Sequence, residues 1–358
     1  LVKIRKNLIP IFVIIICVYA MYLRIRHLYG HTLWVDELFY LRPSEGTFLE
    51  FLRDIPKIEF CSYLSGDLFI FYPFFKIFSY DKWGLSIPSI IATVAGFYLL
   101  YLICKRYFKT IWAYLIAFLI VCFNATLIFH ATEIRTYAFL PTIALAALYI
   151  FHKLADVEFN LNRSRRIQAT IFFILVIWFH VYGILMFLLG LLYVVLFKPG
   201  DSNYKACIKN AARFAVPVLF IAMPFWLYCI FGPHLRYGHF NMTTFDYIPS
   251  PICDPIGFIK SVIGNLVGYK VLYVFLPGII MPLFVFNKDR IKQLLFLSLL
   301  IIAPIALIFL LDIIQNYWFI QRQFVWVIPF FAFFVGWTWD SLLVLCGDMD
   351  RKGMPSPK

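Results

Sequence analysis

Residues 84–104, GLSIPSIIATVAGFYLLYLIC, contain no charged side chain, and the basic segment KRYFK follows at once at residues 105–109. The apolar core of a bilayer is about 30 Å thick, and a helix of about 20 residues spans it. The stretch therefore predicts a transmembrane helix that ends in a cluster of positive charge. Similar apolar runs recur along the chain, and together they predict an all-α polytopic membrane protein.

The composition agrees with this fold class. Of the 358 residues 63% are hydrophobic and 14% are charged, whereas about 25% of the residues in a soluble domain are charged. A soluble protein with a single core is excluded. The eight cysteines show no C-x-x-C or Cys/His spacing, so the sequence indicates neither a zinc site nor a disulfide framework.

The apolar runs predict about ten crossings in a single membrane domain that covers residues 1–358. Residues 68–80 are also apolar, but this run has Pro73 and Lys76 inside it and is too short to span, so we expect it to lie at the interface. The predicted spans are 8–23, 84–104, 111–129, 137–151, 167–197 as two short helices, 214–231, about 266–286, 293–311 and 324–346.

The charges predict the orientation. The basic N-terminus followed by an apolar run resembles a retained signal anchor, and with the N-terminus in the cytosol, 20 of the 32 Lys and Arg residues fall on the cytosolic side. Both termini are then cytosolic, and two long loops, residues 24–83 and 232–260, face outward. The formal charge of +13 therefore reflects membrane orientation and does not indicate a nucleic-acid partner.

The first outward loop contains LWVDELFY at residues 33–40, which places Asp36 and Glu37 at the membrane edge among aromatic side chains. Aromatic walls exclude water and favour general-base chemistry by a carboxylate. Trp34, the nearest preceding aromatic residue, is a candidate substrate-binding residue. The alternative is an ordinary pair of solvated acids, which loops often carry.

The second motif is HATEIRTYAF at residues 130–139, in which Glu133, Arg135 and Tyr137 alternate. A partly extended turn presents all three to one side. Arg135 is then a candidate ligand for a phosphate, because its planar guanidinium matches phosphate oxygens. A local Glu–Arg salt bridge that caps a helix is the simpler alternative.

Two further motifs lie on the same side of the predicted membrane. WFHVYG at residues 178–183 offers His180 and Tyr182 at an outward turn, where His180 is either a ligand or a hydrogen-bonded structural residue. YWFIQRQFVWVIPFF at residues 317–331 places Arg322 at the start of the last span, as a phosphate ligand or as a side chain that reaches the headgroups.

These motifs share one face of the membrane, although the orientation rests on other residues. A carboxylate base, aromatic walls and arginine near lipid headgroups suit group transfer from a lipid-linked phosphate. The base activates a hydroxyl, and the cations stabilise the departing phosphate.

At these residues the chain resembles the GT-C superfamily of integral-membrane glycosyltransferases, particularly bacterial relatives of protein O-mannosyltransferases and aminoarabinose transferases. The resemblance implies a polyprenyl-phosphate sugar donor, a glycan, lipid or protein acceptor, a role in glycan biosynthesis for the cell envelope, and a site on the outward face of the cytoplasmic membrane. It implies Asp36 as the base of an inverting reaction and Glu37 as its acidic neighbour. The substrate-binding roles carried over fall on Glu133, Arg135, Tyr137, His180, Tyr182 and Arg322.

The chain departs from that family where an H-P-P-L-like stretch reads SGDL at residues 65–68, and Asp67 is the polar side chain offered there. The carboxylates of Asp36, Glu37, Glu133 and Asp67 are also hard oxygen ligands, so Mg²⁺ or Mn²⁺ is a possible cofactor that the proposed chemistry does not require.

Two other functions fit the same residues. A flippase or transporter for lipid-linked glycans also needs a basic, aromatic cavity in the membrane, but transporters commonly carry internal repeats, and the chain shows none. A polymerase or ligase that uses lipid-diphosphate glycans differs only in its donor. The loop 232–260 is either an acceptor-binding lid or a disordered connection, and the pairing of Cys61 with Cys253 stays open.

Overall fold

The structure of the chain, a computed structural model, describes residues 2–55, 66–180, 182–197, 204–231, 254–268, 288–315 and 321–353. Within these ranges every regular element is a helix. The α-helices are α1 Val2–Leu28, α2 Val35–Leu41, α3 Phe48–Asp54, α4 Leu68–Phe78, α5 Lys82–Tyr107, α6 Ile111–Phe123, α7 Ala125–His130, α8 Leu140–Asp156, α9 Arg163–Phe179, α10 Gly183–Phe197, α11 Tyr204–Phe231, α12 Pro255–Val267, α13 Lys288–Gln315 and α14 Ile328–Gly353. Short 3-10 helices cover Arg42–Glu45, Thr136–Ala138 and Gln321–Val327.

Four helical segments in the described ranges are long and apolar enough to cross a bilayer: Ile9–Leu28, Lys82–Tyr107, Lys205–Phe225 and Phe324–Cys346. Shorter apolar helices cover Leu68–Phe78, Ile111–Phe123, Gly183–Tyr193 and Ile291–Leu307. The helical class and the membrane character agree with the sequence prediction, but a count of about ten crossings is not confirmed. Most of the predicted span 266–286 lies outside the described residues.

Two boundaries differ from the prediction because a polar side chain caps a new helix. The expected span 111–129 is interrupted at Asn124, whose backbone is extended and whose side chain accepts a hydrogen bond from the Leu127 amide at 3.0 Å. The predicted loop 232–260 likewise ends early, because Asp254 caps α12 by accepting from the Gly257 amide at 2.8 Å. Residues 255–260 are therefore helical.

The long helices pack around a large apolar core, in which α6 lies against α1 and α14, and α5 lies against α8. Helices α5 and α8 begin at the same end of the molecule. At their opposite ends Arg106 donates two hydrogen bonds to Asp156, at 2.6 and 2.5 Å. These hydrogen bonds lower the pKa of the Asp156 carboxyl.

A second, smaller apolar cluster covers the end of the molecule where α5 and α8 begin. It joins α2, α3 and α4 to the segment before α8, through buried side chains that include Tyr40, Phe51, Leu68, Phe71 and Ile134. Helix α4 has 11 residues, which suits the predicted interfacial segment because it is too short to span. This cluster fixes the loop motifs against the ends of the long helices.

Candidate functional site

The first two motifs meet in an ion pair. Arg135 donates from Nη1 to Asp36 Oδ2 at 2.7 Å, although 99 positions separate the two residues. Asp36 lies in the first turn of α2, and Arg135 has an extended backbone, with φ −152° and ψ 163°, directly before a 3-10 helix. The Asp36 side chain is 49% exposed, whereas the Arg135 side chain is 10% exposed. The pair thus presents a solvent-facing carboxylate that is held by a buried cation.

Two tyrosine rings hold the guanidinium of Arg135. The rings of Tyr40 and Tyr137 each have their centroids 5.6 Å from its central carbon, within the range of a cation–π contact. Tyr40 in turn donates a hydrogen bond from its hydroxyl to Asp67, which is fully buried. Asp67 therefore joins the site through Tyr40 and anchors it to the start of α4.

Glu37 is buried behind this pair, with 1% of its side chain exposed. Lys82 Nζ donates to its two carboxylate oxygens at 2.5 and 2.7 Å. The backbone amides of Ile134 and Trp34 also donate to it, at 2.8 and 3.1 Å. Glu37 thus ties α2 to the start of α5 and to the residue before Arg135, and these contacts indicate a positioning role.

Lys82 is a residue of this site that the motif analysis did not select. The sequence could have indicated it, because Lys82 is a basic residue at the outward edge of an apolar run, on the side where the charge bias leaves few basic residues. The sequence could not show that Glu37 neutralises it, because 45 positions separate the two residues.

The segment that carries Arg135 is fastened to α5. The Ser86 and Ser89 hydroxyls donate to the backbone carbonyls of Thr132 and Glu133, at 3.0 and 2.8 Å. The Glu133 side chain is buried and lies 2.7 Å from His130 Nδ1. The second motif therefore contributes Arg135 to the site, whereas its acid, Glu133, interacts with His130 within the same turn.

The third and fourth motifs reach the site through aromatic contacts. The Tyr137 and His180 ring centroids are 6.1 Å apart, those of His180 and Tyr182 are 4.8 Å apart, and those of Tyr182 and Trp326 are 6.0 Å apart. His180 is buried and its Nδ1 accepts a hydrogen bond from the Tyr182 amide at 3.2 Å. The backbone of Arg322 lies in the 3-10 helix that carries Trp326; the Arg322 side chain lies outside the described part of the structure.

The remaining candidates have separate locations. The Trp34 ring packs on Phe129, with 5.3 Å between centroids, and is partly exposed. The loop residues 232–253, including Cys253, and the segment with Cys61 lie outside the described residues.

The four carboxylates suggested for Mg²⁺ or Mn²⁺ do not form a shared centre. Glu37 binds Lys82, Glu133 binds His130, and Asp67 binds Tyr40. In the described ranges no group of three or more His, Cys, Asp or Glu side chains is arranged to hold a metal ion. The described residues therefore give no support for a divalent cation at this site, and no chemical step is assigned to one.

Sequence comparison finds no family model that matches the chain and no significant match among curated proteins. The kind of site is therefore argued from its geometry. A partly exposed carboxylate lies next to a buried guanidinium, among tyrosine rings, at one end of a bundle of apolar helices. This arrangement suits deprotonation of a hydroxyl beside an anionic group.

Proposed function

We propose that the protein is a membrane glycosyltransferase that moves a sugar from a polyprenyl-phosphate donor to an acceptor hydroxyl. The observation that carries this proposal is the Asp36–Arg135 pair, in which the acid faces solvent and the cation is buried. The acid is accessible to an acceptor, and the cation lies where the low dielectric strengthens its attraction for a phosphate. We place the site on the outward face of the cytoplasmic membrane, on the strength of the charge bias between the loops.

The reaction is a single displacement at the anomeric carbon. Asp36 takes the proton of the acceptor hydroxyl as that oxygen forms a bond to the anomeric carbon. The bond between this carbon and the phosphate oxygen breaks, and the phosphate leaves with the bonding electrons. Arg135 stabilises the negative charge that develops on the phosphate, since a guanidinium has five N–H donors and can bind Asp36 and phosphate together.

The contacts of the other acids support inversion of the anomeric centre. Retention through a covalent intermediate requires a second carboxylate as nucleophile, about 5 Å from the acid/base residue. Glu37, the neighbouring acid, accepts hydrogen bonds from Lys82 and two backbone amides. Asp36 is therefore the acid whose position suits the reaction, and one acid is sufficient for inversion.

The test is sugar transfer by the purified chain with a polyprenyl-phosphate donor, comparing the wild type with Asp36→Asn. We expect the turnover of the variant to fall by roughly a hundredfold or more, the usual effect of losing a general base. Asp54→Asn is the matched control, because Asp54 lies in the same loop region, is partly exposed and pairs with Arg53. Wild-type turnover by Asp36→Asn would exclude the proposed base.

The donor class is tested in the same assay. Monophosphate-linked and diphosphate-linked sugars are supplied side by side, and we expect transfer from the monophosphate. Transfer from the diphosphate alone would identify a polymerase or ligase. No transfer from either donor, together with movement of a lipid-linked glycan across proteoliposomes, would identify a flippase.

A further inference from the structure

Arg24 lies in α1, the first membrane helix, and its side chain is buried. The sequence places it at the start of the outward loop 24–83, but α1 continues to Leu28, and Arg24 is only 1% exposed. An ionised side chain within a membrane segment is costly and usually faces the interior of the helix bundle, where it marks a binding site or pathway. The burial of Arg24 therefore requires a compensating partner.

Backbone carbonyls supply part of that compensation, and the ring of Phe97, whose centroid lies 5.2 Å from the central carbon of the guanidinium, supplies a cation–π contact. Arg24 Nη1 donates to Ala20 O at 3.1 Å and to Cys122 O at 2.8 Å, and Nη2 donates to Val121 O at 3.2 Å. The last two carbonyls lie at the C-terminal end of α6, whose dipole carries about half a negative charge. Among the described residues no carboxylate forms an ion pair with Arg24, and its Nε has no hydrogen-bond partner.

Arg24 lines a small cavity that adjoins the candidate active site. The cavity has a volume of about 40 Å³, and its other walls include Thr93, Phe97, His130, Tyr137 and Thr142. A water molecule needs roughly 10–15 Å³ by the same measure, so the cavity has room for one small group. Tyr137 also contacts the guanidinium of Arg135, so this residue borders both the cavity and the Asp36–Arg135 pair.

We infer that this cavity binds the phosphate of the lipid carrier after the sugar has left, with Arg24 as its counter-ion. The inference rests on the proposed function, which supplies a lipid monophosphate as product. A cation that has no carboxylate partner among the described residues favours an anion, and the mostly apolar walls favour an anion attached to an apolar chain.

The test measures binding without requiring turnover. The purified full chain is titrated with farnesyl phosphate, with farnesol as the neutral control, and the thermal unfolding midpoint is followed. We expect farnesyl phosphate to stabilise the wild type, and Arg24→Gln to weaken its binding by about tenfold or more, the equivalent of about 1.4 kcal/mol. The Gln amide still has N–H donors but carries no charge. Thr93→Phe, which fills the cavity and leaves Arg24 in place, should also weaken binding and serves if Arg24→Gln does not fold.

Several results would overturn the inference. The first is wild-type affinity for farnesyl phosphate in Arg24→Gln or in Thr93→Phe. The second is a loss of binding in Arg135→Gln while Arg24→Gln still binds normally. The third is equal stabilisation by phosphatidylglycerol, which would assign the cavity to a bilayer lipid. Failure of the proposed function is a different result. A wild type that binds farnesyl phosphate through Arg24 but transfers no sugar would refute the glycosyltransferase and leave the phosphate site standing.

Discussion

At the scale of single residues, the two adjacent acids of the first motif have different environments. Asp36 is about half exposed, whereas Glu37 is buried against Lys82. The first turn of α2 separates them, since successive residues on a helix point about 100° apart. Residue type alone does not distinguish the two acids, whereas the helix directs Asp36 toward solvent and Glu37 toward the fold.

The Glu37–Lys82 pair gives a prediction about stability. Glu37→Gln or Lys82→Met alone leaves an uncompensated buried charge, so we expect each to lower the free energy of unfolding by about 3–5 kcal/mol. The double variant removes both charges and should lose less than the sum of the two single losses. Denaturant unfolding of the purified protein measures all three.

The exposed pair of Arg53 and Asp54 is the control for this cycle. Asp54→Asn should change the free energy of unfolding by no more than about 1 kcal/mol, as is usual for surface ion pairs. Strictly additive losses in the Glu37 and Lys82 variants would show that the two side chains do not stabilise one another.

At the scale of elements, the short helix α4 is held to α5 by a close contact at Gly84. Asp81 caps α5 by accepting from the Gly84 amide at 2.8 Å, and the ring of Phe78 covers Gly84. A Cβ at position 84 would lie 2.2 Å from Phe78 Cγ, far inside van der Waals contact. Only glycine permits this approach of the interfacial helix.

Gly84→Ala should therefore displace the end of α4 and destabilise the protein by about 1–3 kcal/mol, the usual cost of overpacking. It should also reduce transfer activity, since α4 begins beside Asp67, which binds Tyr40. Thermal unfolding and the transfer assay measure the two effects. Gly66→Ala is the control, because the atom nearest to its added Cβ would be Phe179 Cα at 3.4 Å, an ordinary van der Waals contact. An equal loss of stability in both variants would contradict the role given to the Phe78 contact.

At the scale of the whole molecule, the candidate active site lies at one end of the bundle and a basic region lies at the other. Glu50, on α3, is exposed at the site end, and Arg163, the first residue of α9, is exposed at the opposite end. Other basic residues at the opposite end include Lys105, Arg106, Lys109, Arg165 and Arg166. From the positive-inside bias we propose that this end faces the cytosol.

Cysteine labelling tests this orientation. In a variant without its native cysteines, Glu50→Cys should react with a membrane-impermeant maleimide in intact cells. Arg163→Cys should react only after the membrane is permeabilised. The reverse pattern would place the site in the cytosol and would contradict an outward-facing reaction.

Much of the fold follows from local sequence patterns. Apolar runs such as 84–104 predict helices, because a chain in a bilayer must satisfy its backbone hydrogen bonds internally, and α5 extends over Lys82–Tyr107. The prediction was less accurate where one polar residue decides a boundary: Asn124 ends a run that looked continuous. Arg24 was placed in a loop because apolar content drops after residue 23, whereas the helix continues and buries it.

The sequence by itself determined that this is a helical chain with segments long and apolar enough to span a membrane. It also selected the residues of the candidate site other than Lys82, because both results depend on residue type and local spacing. Only the tertiary structure decided how those residues are used. In the structure Asp36 pairs with Arg135, Glu37 pairs with Lys82, and Arg24 lies beside a cavity. These pairings join residues up to 99 positions apart, and they arise from the packing of whole helices, which no local pattern encodes.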